Sequence, residues 1–365
     1  MRKLALTGMH DPAMPGSLEC TANYAQHVRG KNAIHRPYTL LEQQSLDKMQ
    51  PLLDGRNLIG TAYRVSQDNN MVDYIQSMYV TFSKACTNLC NFCRNEELEY
   101  VDNKSDYDAL VKSMKAWRPH LHEIAYGGGD PLVFLKKLME FRKEVVHNYY
   151  PTRIKEKLIT SGIANLFMDN KDILNNFSSN GEICISRHNM DDSKNHEIFG
   201  GKNELLTLKD LIKVKKEILL SKMTLKATCS KENGMDSEDI LMDYIAQAQH
   251  YLGANVVFND LDPVLTEQTK YVSNQIDDSI FFNVIQQLLE SGHYEPSTTR
   301  VSKGFDVTTL KGDKGSVGFM RYHATDAETL KQWGIAGHRA FNLSMMQDGS
   351  VYDDERNTNL LELNR

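Results

Sequence analysis

The chain has 365 residues, of which 41% are hydrophobic and 25% are charged, and its formal net charge is -6. This length supports a large core and admits one barrel-like domain with extensions, or two domains. The net negative charge argues against an extended nucleic-acid-binding surface, which is normally basic. No apolar run is long enough for a bilayer span or a signal peptide. We therefore expect a cytoplasmic protein, in which thiols stay reduced.

Residues 1–75 contain several chain breakers and show no clear strand pattern. Hydrophobic residues at helical spacing predict one helix over 39–49. We interpret residues 1–75 as an N-terminal extension that packs on the main domain. The alternative on composition is a partly disordered leader.

From residue 76 to residue 295 the sequence alternates between strand and helix patterns about six times. This alternation implies a parallel sheet, because parallel strands need crossover connections. The predicted strands are 77–83, 123–126, 155–160, 182–186, 223–230 and 255–259. The predicted helices are 105–117, 132–148, 170–177, 206–221, 237–252 and 277–290.

The last part of the chain, residues 296–365, has a different pattern. From about residue 308 it is typical of antiparallel strands. Two strand-like segments, 340–346 and 350–352, flank Gln347-Asp348-Gly349, which is a good hairpin turn. We predict a C-terminal accessory region with an antiparallel β-hairpin.

Three of the six cysteines, Cys86, Cys90 and Cys93, follow the first predicted strand with the spacing C-x3-C-x2-C. Three thiolates this close together can hold a [4Fe–4S] cluster and leave one iron open to a non-protein ligand. A structural zinc site needs a fourth ligand, and no cysteine or histidine follows at the usual spacing. Zinc and a purely electron-transferring cluster remain alternatives. The other cysteines are interpreted as ordinary buried thiols: Cys20, Cys184 and Cys229.

Polar and glycine-rich segments follow the next three predicted strands. They are Gly127-Gly128-Gly129-Asp130-Pro131, Thr160-Ser161-Gly162 and Ser186-Arg187-His188. In parallel barrels and open sheets, chemistry takes place beyond the carboxyl ends of the strands. We therefore expect these segments to lie around the cysteines.

The cysteine segment, with Phe92 just before the last cysteine, resembles the C-x3-C-x-aromatic-C signature of radical S-adenosylmethionine (SAM) enzymes. The resemblance covers about residues 77–290 and implies a partial (β/α)6 TIM-like barrel with one [4Fe–4S] cluster on Cys86, Cys90 and Cys93. In that family the open iron chelates SAM, and one electron breaks the S–C5′ bond. The 5′-deoxyadenosyl radical then takes hydrogen from a substrate. The resemblance also implies an electron donor such as flavodoxin or ferredoxin.

The resemblance also implies residues that contact SAM. The glycine run resembles the family's Gly-Gly-Glu-Pro motif, with Asp130 for the usual Glu, so Gly128, Gly129 and Asp130 are expected to bind SAM. The alternative is a plain strand-to-helix turn. Phe92 is expected near the adenine. Ser161 is expected at SAM's methionine part or ribose, with a plain turn as the alternative.

Ser186 matches the position of a further polar contact to SAM in relatives. Arg187 could pair with a carboxylate; the alternative is a solvated arginine. His188 is interpreted as a surface residue. The segment 191–200 resembles the loop at this position in cyclases of the molybdopterin-precursor type and is treated as structural. Three residues near later strand ends could line the pocket: Lys226, Thr228 and Asn259.

No cysteine follows Cys229, which argues against auxiliary clusters and against the molybdopterin-precursor cyclase itself. We therefore predict a radical SAM enzyme of that cyclase-like branch without an auxiliary cluster, acting on a small molecule. One alternative is modification of a ribosomally made peptide. Another, from a different class, is a non-catalytic iron–sulfur sensor or scaffold.

Overall fold

The computed structural model describes most of the chain from residue 62 onward. The described residues are 62–66, 71–90, 92–93, 105–117, 121, 123–147, 154–217, 223–261, 274–301, 306–321, 337–352 and 360–361. The helix predicted over 39–49, Cys20 and most of the predicted N-terminal extension lie outside these residues.

A parallel sheet forms the centre of the fold. Each of its strands pairs in parallel with the next along the chain, which confirms the predicted partial barrel. The strands are β2 (Met71–Ser83), β3 (Glu123–Gly128), β4 (Lys155–Thr160), β5 (Glu182–Ser186), β6 (Met223–Thr228) and β7 (Asn255–Asn259).

The sheet begins earlier than the sequence indicated. Strand β1 (Ala62–Ser66) pairs antiparallel with the first residues of β2, inside the region where no clear strand pattern was found. The sequence pattern therefore failed to indicate this strand. The apolar alternation there is short and interrupted by charged residues, and Arg64 and Asp73 are register partners. Pairing with β2, rather than a strong local pattern, therefore defines β1.

Helices connect the strands where crossovers were predicted. They are α1 (Tyr107–Trp117), α2 (Leu135–Arg142), α3 (Ala164–Asp169), α4 (Lys171–Ser178), α5 (Asp192–Ile198), α6 (Leu208–Glu217), α7 (Glu238–Gln247) and α8 (Asp278–Glu290). Helix α5 lies in the segment 191–200. It begins because the Asp191 carboxylate accepts the Lys194 N–H at 2.8 Å, an N-cap.

Alternation along the strands separates two faces of the sheet. Ile124, Leu158, Ile183 and Leu225 are fully buried in a core shared with the helices. Because side chains alternate along a strand, their neighbours face the barrel interior. Those neighbours are polar on four successive strands: Glu123, Lys157, Glu182 and Lys226. The interior face of these four strands therefore carries charged side chains.

The C-terminal region continues this sheet. Its strands are β8 (Tyr294–Val301), β9 (Asp306–Gly312), β10 (Ser316–Arg321), β11 (Gly337–Met345), β12 (Val351–Tyr352) and β13 (Leu360–Leu361). Strand β10 pairs in parallel with β7, and β8, β9 and β10 form an antiparallel meander. Strand β11 pairs in parallel with both β8 and β2, so the hydrogen-bonded ladder returns to its first parallel strand.

The predicted C-terminal hairpin is confirmed. Strands β11 and β12 are antiparallel, with Ser344 opposite Tyr352. The hairpin turn packs on α1: the Ser113 hydroxyl donates to the Gly349 carbonyl at 2.5 Å, and the Asp106 N–H donates to the Gln347 carbonyl at 2.9 Å. The tail therefore supports the helix that follows the cysteine segment. No helix among the described residues is long and apolar enough to cross a membrane.

Candidate functional site

The three cysteines lie on the cysteine loop, defined as residues 84–93, which leaves the carboxyl end of β2. Each of their side chains is partly exposed. Burial raises the pKa of Cys86 to about 11, and negative charge on Asp130 and Cys93 adds to the rise. Burial also raises the pKa of Cys90, and the charges of Cys93 and Cys86 add to this rise. The three thiols therefore lie within electrostatic reach of one another.

The donor set of the cysteine loop fits an iron–sulfur cluster. The described residues hold no group of three or more His, Cys, Asp or Glu side chains that could bind one metal ion. A cluster makes a different demand, because its thiolates bind separate iron atoms. Three thiols on one loop can supply one ligand to each of three iron atoms. In addition, the Asn88 N–H donates to Cys86 Sγ at 3.5 Å, a type of hydrogen bond that tunes cluster potentials.

The glycine run after β3 holds the start of the cysteine loop. The Gly129 N–H donates to the Ser83 carbonyl at 2.8 Å, and the Asp130 N–H donates to the Ala85 carbonyl at 2.9 Å. A Cβ on Gly129 would lie 2.0 Å from the Ala85 carbonyl oxygen. Gly128 has φ +102°, in the left-handed region that glycine adopts readily. Because Gly128 and Gly129 lack a Cβ, the backbone at Ser83 and Ala85 can lie this close to them.

The carboxylate of Asp130 is a centre of hydrogen bonds within the chain, and its residue is only 2% exposed. Its Oδ1 accepts from the Leu132 N–H at 3.0 Å and from the Thr160 hydroxyl at 2.8 Å. Its Oδ2 accepts from the Ser161 N–H at 2.9 Å and from the Ser161 hydroxyl. Asp130 therefore ties the end of β3 to the end of β4.

Two asparagines that the sequence analysis missed attach the cysteine loop to its surroundings. Asn88 Nδ2 donates to the Ser161 hydroxyl oxygen at 2.7 Å. Asn203 Nδ2 donates to Asn88 Oδ1 at 3.0 Å and to the Thr87 carbonyl at 2.8 Å. Asn203 is far along the chain and carries no motif, so only the folded structure reveals its role.

An aromatic cluster holds the other end of the loop. The ring of Phe92 meets His188 edge-on with centroids 4.6 Å apart, and His188 lies 4.8 Å from the ring of Phe199. The interpretation of His188 as a surface residue was wrong, because these rings leave it 5% exposed. Its Nδ1 accepts the Thr228 N–H at 2.9 Å. Burial, followed by the charge of Lys226, lowers the pKa of His188 to about 3.

Arg187 directly precedes His188 after the end of β5 and is 1% exposed, so the solvated alternative was wrong. Its guanidinium donates to the Leu206 carbonyl at 3.2 Å, to the Met190 carbonyl at 2.7 Å and to the Asp192 carboxylate at 2.5 Å. The carboxylate partner of Arg187 in this structure is thus Asp192. These bonds hold the start of α5 against the end of β5.

Further predicted pocket residues lie at the same ends of the strands. Ser186 is the last residue of β5 and is partly exposed, and Thr228 and Asn259 are register partners at the ends of β6 and β7. Among the described residues, Asn259 Oδ1 and Thr87 Oγ1 are buried without a hydrogen-bond partner. Buried polar atoms normally have one, so these atoms mark places where a bound group could donate or accept.

The buried, neutral His188 predicts a pH dependence of stability. Between pH ~6.5 and ~3 the unfolded chain binds a proton at His188 and the folded chain does not. The free energy of unfolding therefore falls by about 1.4 kcal/mol for each pH unit lost in this window. We expect His188→Asn, which keeps an acceptor for the Thr228 N–H, to remove that slope in urea unfolding at pH 5 and pH 6.

The exposed His250 provides the matched control. His250→Asn should retain the wild-type slope. A wild-type slope in His188→Asn would contradict the burial of a neutral imidazole at this position.

Comparison with known proteins identifies the fold. No family model matches the sequence, and no curated protein matches it. The fold is similar to that of Streptococcus suis SuiB bound to the precursor peptide SuiA, with TM-score 0.54 and 12% identity, over 95% of this chain and 75% of that chain. For SuiB bound to S-adenosylmethionine the TM-score is 0.52 with 12% identity, over 94% and 73%. At this identity the likeness establishes the shared fold.

Proposed function

We propose that this protein is a radical SAM enzyme. The observation that carries the proposal is the convergence of four strand ends on one loop with three cysteines, in a fold shared with a protein whose structure holds SAM. Cys86, Cys90 and Cys93 would hold a single [4Fe–4S] cluster. The cluster would supply the electron for reductive cleavage of SAM, after which hydrogen is taken from a substrate.

The chain's own residues would place SAM beside the loop. Gly128, Gly129, Phe92 and Ser186 are proposed as contacts, Phe92 at the adenine. Phe92 lies on the cysteine loop, and the other three lie at the ends of β3 and β5. Arg187 donates to its own chain and is proposed to support the site by fixing the end of β5. The edge-on contact between His188 and Phe92 supports a fixed orientation of the Phe92 ring.

A polar small molecule is the proposed substrate. The barrel interior is lined by charged side chains, and Lys157 Nζ lies 2.9 Å from Glu123 Oε1. Burial raises the pKa of the interior Cys184 to about 12; nearby Glu182 and Glu123 add to the rise, and Lys157 and Lys226 oppose it. Ionic groups of both signs therefore surround one point inside the barrel. Such a lining suits a charged or zwitterionic molecule better than an apolar one.

Modification of a ribosomally made peptide is the second candidate function. The fold similarity to SuiB in complex with a precursor peptide favours it. The two candidates share the cluster and SAM and differ only in what enters the barrel. An electron donor such as flavodoxin or ferredoxin and a cytoplasmic location complete the proposal.

Anaerobic reconstitution tests the proposal. We expect protein loaded with iron and sulfide to form 5′-deoxyadenosine from SAM when dithionite is added, as measured by mass spectrometry, and not without dithionite. A cluster-loaded protein that forms none would exclude the catalytic function and favour a sensor or scaffold. Stimulation by a low-mass metabolite fraction, rather than by a synthetic precursor peptide encoded beside the gene, would separate the two substrate classes.

A further inference from the structure

We infer that Asp130 is a positioning residue for the cysteine loop rather than a ligand of SAM, and that it acts through Ser161 and Asn88. The inference rests on the proposed function, because it concerns how the cluster-bearing loop is held. The position of Asp130 after the glycine run led us to expect that it binds SAM, and this inference gives it a different role.

The first step concerns how many hydrogen bonds the Asp130 carboxylate can accept. An ionised carboxylate has about four lone-pair sites, two on each oxygen. In Asp130 each oxygen accepts from two donors, all belonging to residues of the same chain. A ligand ammonium would have to displace one of them. Because the residue is 2% exposed, a displaced donor would also lose access to water.

The second step follows the bonds outward from Asp130. The Ser161 hydroxyl donates to Asp130 and accepts from Asn88 Nδ2 at 2.7 Å. Asn88 lies between the first two cysteines, and its N–H donates to Cys86 Sγ. A continuous series of hydrogen bonds therefore runs from the carboxylate to a cluster ligand. Asn203 extends this series of hydrogen bonds by donating to Asn88 Oδ1 at 3.0 Å.

The third step concerns charge and polarity. Asp130 orients the Ser161 hydroxyl proton towards itself, which leaves the Ser161 oxygen free to accept from Asn88. Without the carboxylate, that hydroxyl can rotate and the Asn88 amide loses a fixed acceptor. The backbone of Asp130 also bonds to the cysteine loop, because the Asp130 N–H donates to the Ala85 carbonyl at 2.9 Å. Asp130 is thus bonded to the cysteine loop through both its backbone and its side chain.

Two substitutions test the inference. Asp130→Glu keeps the charge but moves the carboxylate by one methylene, and Asn88→Ala removes the link without approaching Asp130. We expect both variants to lose the reconstituted cluster to a chelator about tenfold faster than wild type, the lower end of the effect of removing groups that orient metal ligands. We also expect both to alter the electron paramagnetic resonance (EPR) spectrum of the reduced cluster before SAM is added. Asn180→Ala, on an exposed turn, should match wild type.

Rescue separates positioning from general loss of structure. Ser161→Thr keeps the hydroxyl and should retain the wild-type EPR spectrum, whereas Ser161→Ala should reproduce Asn88→Ala, and combining Ser161→Ala with Asn88→Ala should add no further effect. If Asp130→Glu does not fold, the Asn88 and Ser161 variants decide the result alone.

The inference is overturned if Asn88→Ala and Ser161→Ala keep the wild-type cluster lifetime and SAM-free spectrum. It is also overturned if a folded Asp130→Glu variant shows both wild-type properties and loses only SAM affinity. These readouts precede SAM cleavage. A protein that holds a cluster but forms no 5′-deoxyadenosine would therefore contradict the proposed function while leaving this inference testable.

Discussion

Cys90→Ala should lose the iron–sulfur absorbance after anaerobic reconstitution, and its 5′-deoxyadenosine formation should fall to the background without protein. With one thiolate removed, two ligands remain for a cluster that needs three from this loop. Burial raises the pKa of Cys90, and a bound metal requires this cysteine as the thiolate. Iron and sulfide content, together with mass spectrometry of the SAM products, measure both effects.

Cys184→Ala is the matched control for this loss. Cys184 is a buried thiol on β5, outside the cysteine loop. The variant should retain the cluster and uncoupled SAM cleavage. If Cys90→Ala kept both the absorbance and the cleavage product, the assignment of the cluster to the cysteine loop would be wrong.

Gly129→Ala should destabilise the protein by about 3 kcal/mol, a size typical of severe backbone or packing clashes. The added Cβ would lie 2.0 Å from the Ala85 carbonyl oxygen and 2.5 Å from its carbon, so no side-chain rotation relieves the contact. The end of β3 would have to separate from the cysteine loop. That movement would break the hydrogen bonds from the Gly129 and Asp130 N–H groups. Urea unfolding of the cluster-free protein measures the loss.

Gly318→Ala provides the comparison for this substitution. Gly318 also lies in a strand of the sheet, but a Cβ there would come no closer than 3.4 Å to Val257, an ordinary contact. Its free energy of unfolding should stay within about 0.5 kcal/mol of wild type. Equal stabilities for Gly129→Ala and wild type would show that the glycine run does not hold the loop.

The sequence predicted the parallel strands because their pattern is local. Each strand is a short apolar or alternating run between helices, and the carboxyl ends of parallel strands meet on one side of a sheet. The placement of Cys86, Gly129, Ser161 and Ser186 follows from this rule alone. The hairpin of β11 and β12 was equally local, because Asp348-Gly349 defines the turn.

The sequence could not predict contacts that depend on distant segments. Asn88 and Asn203 are ordinary polar residues until the fold brings them within 3.0 Å. His188 looks solvated because a lone polar residue after a strand usually is, and only the rings of Phe92 and Phe199 reveal its burial. The return of β11 to β2 also joins residues far apart in the chain, with Ala340 opposite Ile75. No local periodicity encodes that pairing.

The central claim is that the cysteine loop holds a [4Fe–4S] cluster with an iron open to SAM. EPR spectroscopy of the dithionite-reduced protein, recorded before and after SAM is added, tests this claim most directly. We predict the signal of a reduced [4Fe–4S] cluster whose g-values shift when SAM binds, and no such signal in Cys90→Ala. A reconstituted protein without a cluster signal, or with a signal that saturating SAM leaves unchanged, would contradict the claim.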